Sequence, residues 1–180
     1  MEKPRRGVAR SPVSESAVLN LTGSWRIAFQ PRRGAPASIM QRVLRSWSEN
    51  PSPGVRYFSG TAVYSTTFDL APAALARGAR LLLDLGDVRE LADISVNGKP
   101  LGTVWTPPFR VDITAAVHTG RNALAVRIAN LWVNRLIGDA QPDAEAKFTF
   151  TVIPTYRADA PLRESGLLGP VTLRTITSVH

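Results

Sequence analysis

The chain has 180 residues, of which 44% are hydrophobic and 20% charged, with no cysteine and a formal net charge of +8. This length suits one domain with a sizeable core, and the composition is that of a globular protein. Disulfides and thiolate metal sites are excluded, and no apolar run approaches the roughly 20 residues of a membrane span, so a membrane is not an expected partner. The two histidines, His118 and His180, lie far apart and support neither a histidine metal site nor a Ser-His-Asp triad. The positive excess sits in residues 21–80, which hold eight basic and two acidic side chains. It is almost all arginine and forms no Lys/Arg-rich block, so nucleic acid is not an expected partner either.

Residues 1–20 are basic and Ser/Pro-rich and lack the apolar core of a secretory signal, so they read as a disordered leader. The domain then runs over 21–180. Trp25, Ile27 and Phe29 alternate with polar or small residues as a first strand, ended by Pro31 and the turn-prone Arg32-Arg33-Gly34. Ile39, Val43 and Trp47 recur at four-residue spacing, which predicts a short helix over 38–47. A strand follows in which Ala62, Tyr64, Thr66, Phe68 and Leu70 share a face, and Leu81, Leu83 and Leu85 form another. The stretch 91–114 is the clearest signal of all. Ala92, Ile94 and Val96 alternate with Asp93 and Ser95, and Asn97-Gly98 tolerates the positive φ of a type I′ hairpin turn. The return strand covers 101–105, Pro107-Pro108 makes a corner without backbone donors, and Phe109, Val111 and Ile113 begin the next strand. Leu124, Val126 and Ile128 alternate strongly, and Val171, Leu173 and Ile176 close the chain. About eight or nine strands with turn signals at this spacing predict an all-β sandwich. Between Asn130 and Gly169 the pattern breaks, apart from an expected strand over 148–153. A connection of about 40 residues far exceeds the usual 4–6 and marks a functional or docked segment.

The series YSTTFDL, LLLDLGDV, ADISVNGKPLGTVWTPPFRVDIT, GRNALAVRIAN and GLLGPVTL resembles the sugar-binding jelly-roll domain of family 2 glycoside hydrolases. RYFSGTAVY, NLWVNRLIGD and ESGLLGPV resemble more closely the galactose-binding-like domain of the family 106 α-L-rhamnosidases. The match covers 21–176. It implies a galactose-binding domain-like jelly-roll β-sandwich, a non-catalytic carbohydrate-binding or accessory module of a glycoside hydrolase. The catalytic carboxylates would belong to a separate barrel domain, which nothing here resembles. Implied partners are that catalytic domain and a plant-type glycan containing rhamnose or galactose, with no cofactor. The parent enzymes of such modules are periplasmic or secreted.

The residues themselves bear on this expectation. A glycosidase needs two carboxyl groups facing each other across the scissile bond. Asp84, Asp87, Glu90 and Asp93 are close in sequence but sit around a strand end, where carboxylates are ordinarily solvated; Asp84 and Asp87 also lack the dense oxygen spacing of a calcium loop. Sugar recognition combines an aromatic face for C–H groups with planar polar groups for hydroxyls. Trp105, beside the proline corner, is either such a platform or a corner tryptophan packed into the fold. The sharper candidate is the loop expected at 130–139, with Trp132, Asn134, Arg135 and Asp139. These residues either meet a ligand or a neighbouring domain, or form an internal network in which Arg135 pairs with Asp139. A purely structural domain that completes a neighbour's active site is the alternative function.

Overall fold

The computed structural model describes residues 13–76 and 79–178. In chain order the strands are β1 (Val13–Asn20), β2 (Trp25–Phe29), β3 (Ser38–Gln41), β4 (Thr61–Leu70), β5 (Arg80–Asp84) and β6 (Asp87–Arg89). They continue with β7 (Leu91–Val96), β8 (Lys99–Val104), β9 (Arg110–Asp112), β10 (Gly120–Ala129), β11 (Gly166–Gly169) and β12 (Thr172–Ser178). Two short helices interrupt them, α1 (Pro53–Arg56) and α2 (Val133–Asp139). A six-stranded sheet has the order β3-β2-β4-β10-β7-β8, a four-stranded sheet the order β1-β12-β5-β9, and β6 pairs with β11.

Period-two alternation puts the apolar set of each strand on one face, and register aligns these sets. Ile27 pairs with Tyr64, Tyr64 with Val126, and Val126 with Ile94, a single apolar row across the six-stranded sheet. Leu81, Leu83 and Leu173 of the four-stranded sheet join the same core cluster. Each such side chain contributes about 1.5–3 kcal/mol by burial, and the two layers form the expected all-β sandwich. The hairpin turn also forms as expected, with Asn97 at φ 51° and Gly98 at φ 77°. Beside the row, Trp47 stacks on Tyr64 with centroids 6.1 Å apart, and Phe29 and Phe58 meet Trp47 edge-on. The Leu167 backbone N–H donates to Tyr64 Oη at 3.1 Å, tying β11 to this cluster. Burial pushes the tyrosine's pKa above its usual range and keeps the hydroxyl protonated.

Three expectations are corrected. Residues 13–20 of the expected leader form β1, which pairs along β12, and Glu15 meets Arg174 at 3.1 Å; residues 1–12 lie outside the described residues. The helix over 38–47 is instead β3, whose backbone pairs with Trp25–Ala28. There Val43 is exposed, and Trp47 opens a single 3-10 turn capped by Ser46. Pairing onto a sheet edge overrides a weak periodic signal. The strand over 148–153 is absent because the N–H groups of Phe148 and Thr149 donate to Asp139 Oδ2, at 3.0 and 2.7 Å, rather than to a ladder.

Candidate functional site

One end of the six-stranded sheet gathers the candidate residues. Ala129 pairs with both Thr61 and Leu91, Ala92 with Val104, and Phe29 with Ala62. Trp105 after β8, residues 130–139 after β10 and Arg33 after β2 therefore leave the sheet at the same end. The exit of β10 is pinned: Asn130 Nδ2 donates to the Phe58 carbonyl at 2.9 Å, and its Oδ1 accepts from the Gly60 N–H at 2.9 Å. Ser59 Oγ donates to the Leu131 carbonyl at 2.8 Å. The Tyr57-Ser59-Gly60 segment thus fastens the strand exit.

Trp105 is 67% exposed and Trp132 45% exposed, whereas Trp25 and Trp47 are core residues. The Arg33 guanidinium lies 4.8 Å from the Trp132 ring centroid, a cation–π contact that holds the indole in place. The expected loop after Trp132 is the helix α2. Glycine, asparagine and aspartate make it a poor helix former in isolation, so packing imposes it. Ile137 enters the core side, and a Cβ on Gly138 would stand 2.5 Å from Tyr57 Cβ, an approach only glycine permits.

The polar residues of α2 are bonded within the fold. Asn134 Oδ1 accepts from the Arg163 N–H at 2.8 Å and Nδ2 donates to the Arg163 carbonyl at 2.7 Å, so one amide mimics a strand neighbour for a loop residue. Asp139 Oδ2 accepts from the N–H groups of Phe148 and Thr149 and from Thr149 Oγ1, the last at 2.6 Å. Asp139 Oδ1 lies 2.8 Å from Arg135 Nε in an ion pair with both side chains buried. Arg135 is 4% exposed, with its guanidinium 4.9 Å from the Phe148 ring centroid and 6.0 Å from that of Tyr57. The i,i+4 spacing of Arg135 and Asp139, with Val133 and Ile137 also four apart, is the helix signal that sequence reading passes over.

The segment after α2 exposes apolar side chains that the sequence reading assigned to a strand. Phe150 is 90% exposed, and Val152 and Ile153 are comparably open. Elsewhere three of the four clustered carboxylates are engaged by arginine. Asp84 meets Arg110 at 2.8 Å and Arg174 at 3.2 Å, Asp87 pairs with Arg89, and Asp93 with Arg127. The Thr103 hydroxyl bonded to Asp93, with Arg127 behind it, holds that carboxyl below its usual range despite partial burial. Among the described residues no group of three or more His, Asp or Glu side chains is placed to hold a metal ion.

Residues 48–160 match the family model described as glycosyl hydrolase 2 galactose-binding domain-like. The chain is similar to a protein of Formosa agariphila provisionally named a β-glucuronidase, at 36% identity over 87% of this chain and 15% of that protein. It is similar to the structure of a rhamnosidase from Novosphingobium sp. PP1Y, at 51% identity and TM-score 0.88 over 97% of this chain and 16% of that one. A Lactobacillus rhamnosus β-glucuronidase structure matches at 25% identity and TM-score 0.63, over 93% of this chain and 29% of that chain. The chain thus spans less than a third of the length of each of these relatives.

Proposed function

Since the chain belongs to the glycosyl hydrolase 2 galactose-binding domain-like family, we propose that it is a non-catalytic carbohydrate-binding accessory module of a larger glycoside hydrolase, most like an α-L-rhamnosidase. The observation that carries this reading is the pair of exposed tryptophans, Trp105 and Trp132, at one end of the six-stranded sheet. Indole faces open to solvent pack on the C–H faces of sugar rings, and Arg33 holds one of them fixed. Asn134, Arg135 and Asp139 support that surface by fixing α2 beneath Trp132. The ligand is a glycan containing rhamnose or galactose, and chemistry belongs to a separate catalytic domain. Similarity to the rhamnosidase, of which this chain covers 16%, supports both statements. Titration calorimetry with a pectin-derived oligosaccharide tests the reading. Saturable binding that falls at least tenfold in Trp105→Ala or Trp132→Ala supports it, and no binding of any glycan at millimolar concentration overturns it.

A second reading rests on the apolar strip at Phe150, Val152 and Ile153. Exposed side chains of this kind mark contact surfaces, and here they would dock the module on its catalytic domain. Replacing all three by serine would leave the fold of the chain intact and abolish that association.

A further inference from the structure

Arg135 has more donors than the fold uses. Its Nε lies 2.8 Å from Asp139 Oδ1, and among the described residues neither Nη1 nor Nη2 has a hydrogen-bond partner, although neither is among the fully enclosed unpartnered atoms. The rest of the side chain is more than nine-tenths buried, so these donors are free to meet a ligand only where they reach the cleft that Arg135 lines. The side chain lines a cleft of ≈500 Å³ bounded by α1, α2 and residues 141–148, a volume within the ordinary range of small-ligand sites. Tyr57 and Phe148 form its walls, and Arg56, Asp143 and Glu145 stand around it. Gly34 also lines the cleft, where a Cβ would meet the Phe148 ring at 3.0 Å and Arg135 Nη1 at 3.5 Å.

The charges select the ligand. Arg56, Arg135, Asp143 and Glu145 line the cleft, and Arg135 is already paired with a third carboxylate, that of Asp139. An anionic ligand would find its cation already neutralised and two more carboxylates in place. A neutral polyhydroxylated ring offers what the cleft asks for: oxygens that accept from the guanidinium and hydroxyls that donate to carboxylates. We propose that this cleft is a subsite for a neutral sugar ring, with Nη1 and Nη2 of Arg135 donating to its oxygens and Asp143 and Glu145 accepting from its hydroxyls. The proposal rests on the carbohydrate-module reading and adds a contact region separate from Trp105.

The test is calorimetric titration of the 180-residue chain with L-rhamnose, D-galactose and D-galacturonate, together with NMR of the Arg135 side-chain N–H signals. Three variants accompany it: Ala146→Trp, which fills the cleft from an exposed position; Asp143→Asn with Glu145→Gln, two exposed carboxylates; and Trp105→Ala. The expected result is saturable binding of a neutral sugar that shifts the Arg135 signals. It should fall at least tenfold in Ala146→Trp, and severalfold in the double variant if Ala146→Trp fails to fold, while surviving in Trp105→Ala. Glycan binding that is lost in Trp105→Ala but unchanged in both cleft variants overturns the cleft and leaves the module reading standing. Galacturonate binding tenfold tighter than either neutral sugar overturns the ligand class. No binding of any sugar or oligosaccharide overturns both readings.

Discussion

At one end of the six-stranded sheet Asn122 is wholly buried, and its amide accepts from the His118 N–H and donates to the carbonyls of His118 and Gly120. Asn97 donates to Asn122 and to the Ala116 carbonyl and accepts from the Ala123 N–H. At the other end Asn130 and Asn134 are bonded just as fully, yet among the described residues Arg135 Nη1 and Nη2 meet no acceptor, and two tryptophans face solvent. Both ends are polar, so polarity alone does not separate them. What distinguishes the second is unfinished bonding and exposed aromatic surface, and those mark the end where a ligand has something to gain.

The comparison breaks most severely if Asp139 is removed. Asp139→Ala leaves the buried Arg135 cation uncompensated and the backbone donors of Phe148 and Thr149 unpaired, an expected loss of about 3–5 kcal/mol in denaturant unfolding. Asn122→Ala, at the closed end, should cost roughly 1–3 kcal/mol for each buried backbone group left without a partner, with no change in glycan affinity if that end is scaffold alone. Asp93→Asn probes the exposed face between the ends. Because the folded state lowers the Asp93 pKa, its stabilising effect is present above about pH 4 and is lost as pH falls through the folded value. The gap between wild type and Asp93→Asn should be no more than about 1 kcal/mol at pH 7, shrink with salt, and close in acid. The smallest stability effect belongs to Trp105→Ala, within about 0.5 kcal/mol. The same substitution should give the largest effect on oligosaccharide binding, and that inversion separates surface from scaffold.

The hairpin turn at the closed end was legible in the sequence because its determinants are local. Alternation over Ala92, Ile94 and Val96 followed by Asn97-Gly98 specifies strand and turn within eight residues, and the structure follows both, with a register shift between Ile94 and Ser95 that the pattern does not carry. The open end depends on partners far away in sequence. Asn134 is satisfied by Arg163, Ser59 by Leu131, and Asp139 by Phe148 and Thr149. No window of the sequence contains both members of the first two pairs, so the residue types of the candidate site and the four-apart pair Arg135–Asp139 can be named from the sequence while these longer-range bonds cannot. β3 and β1 were missed for the same reason, since each becomes a strand only beside its neighbour, β2 or β12. The exposure of Trp105 also escaped composition, because a tryptophan beside a proline corner packs inward as readily as outward.

The pairing of β1 with β12 bears on how the module responds to force. Val13 lies opposite Ser178 and Asn20 opposite Thr172, so the outer ends of the two strands depart from the same edge of the sandwich. Tension applied through the flanking polypeptide would load these hydrogen bonds one pair at a time, as in a zip, rather than all together in shear. The ladder would peel inward from Val13–Ser178 at low force while the six-stranded sheet, which contains neither strand, stayed intact. Joined to a moving neighbour, such a module would yield first at its tether and keep the tryptophan-bearing end in shape.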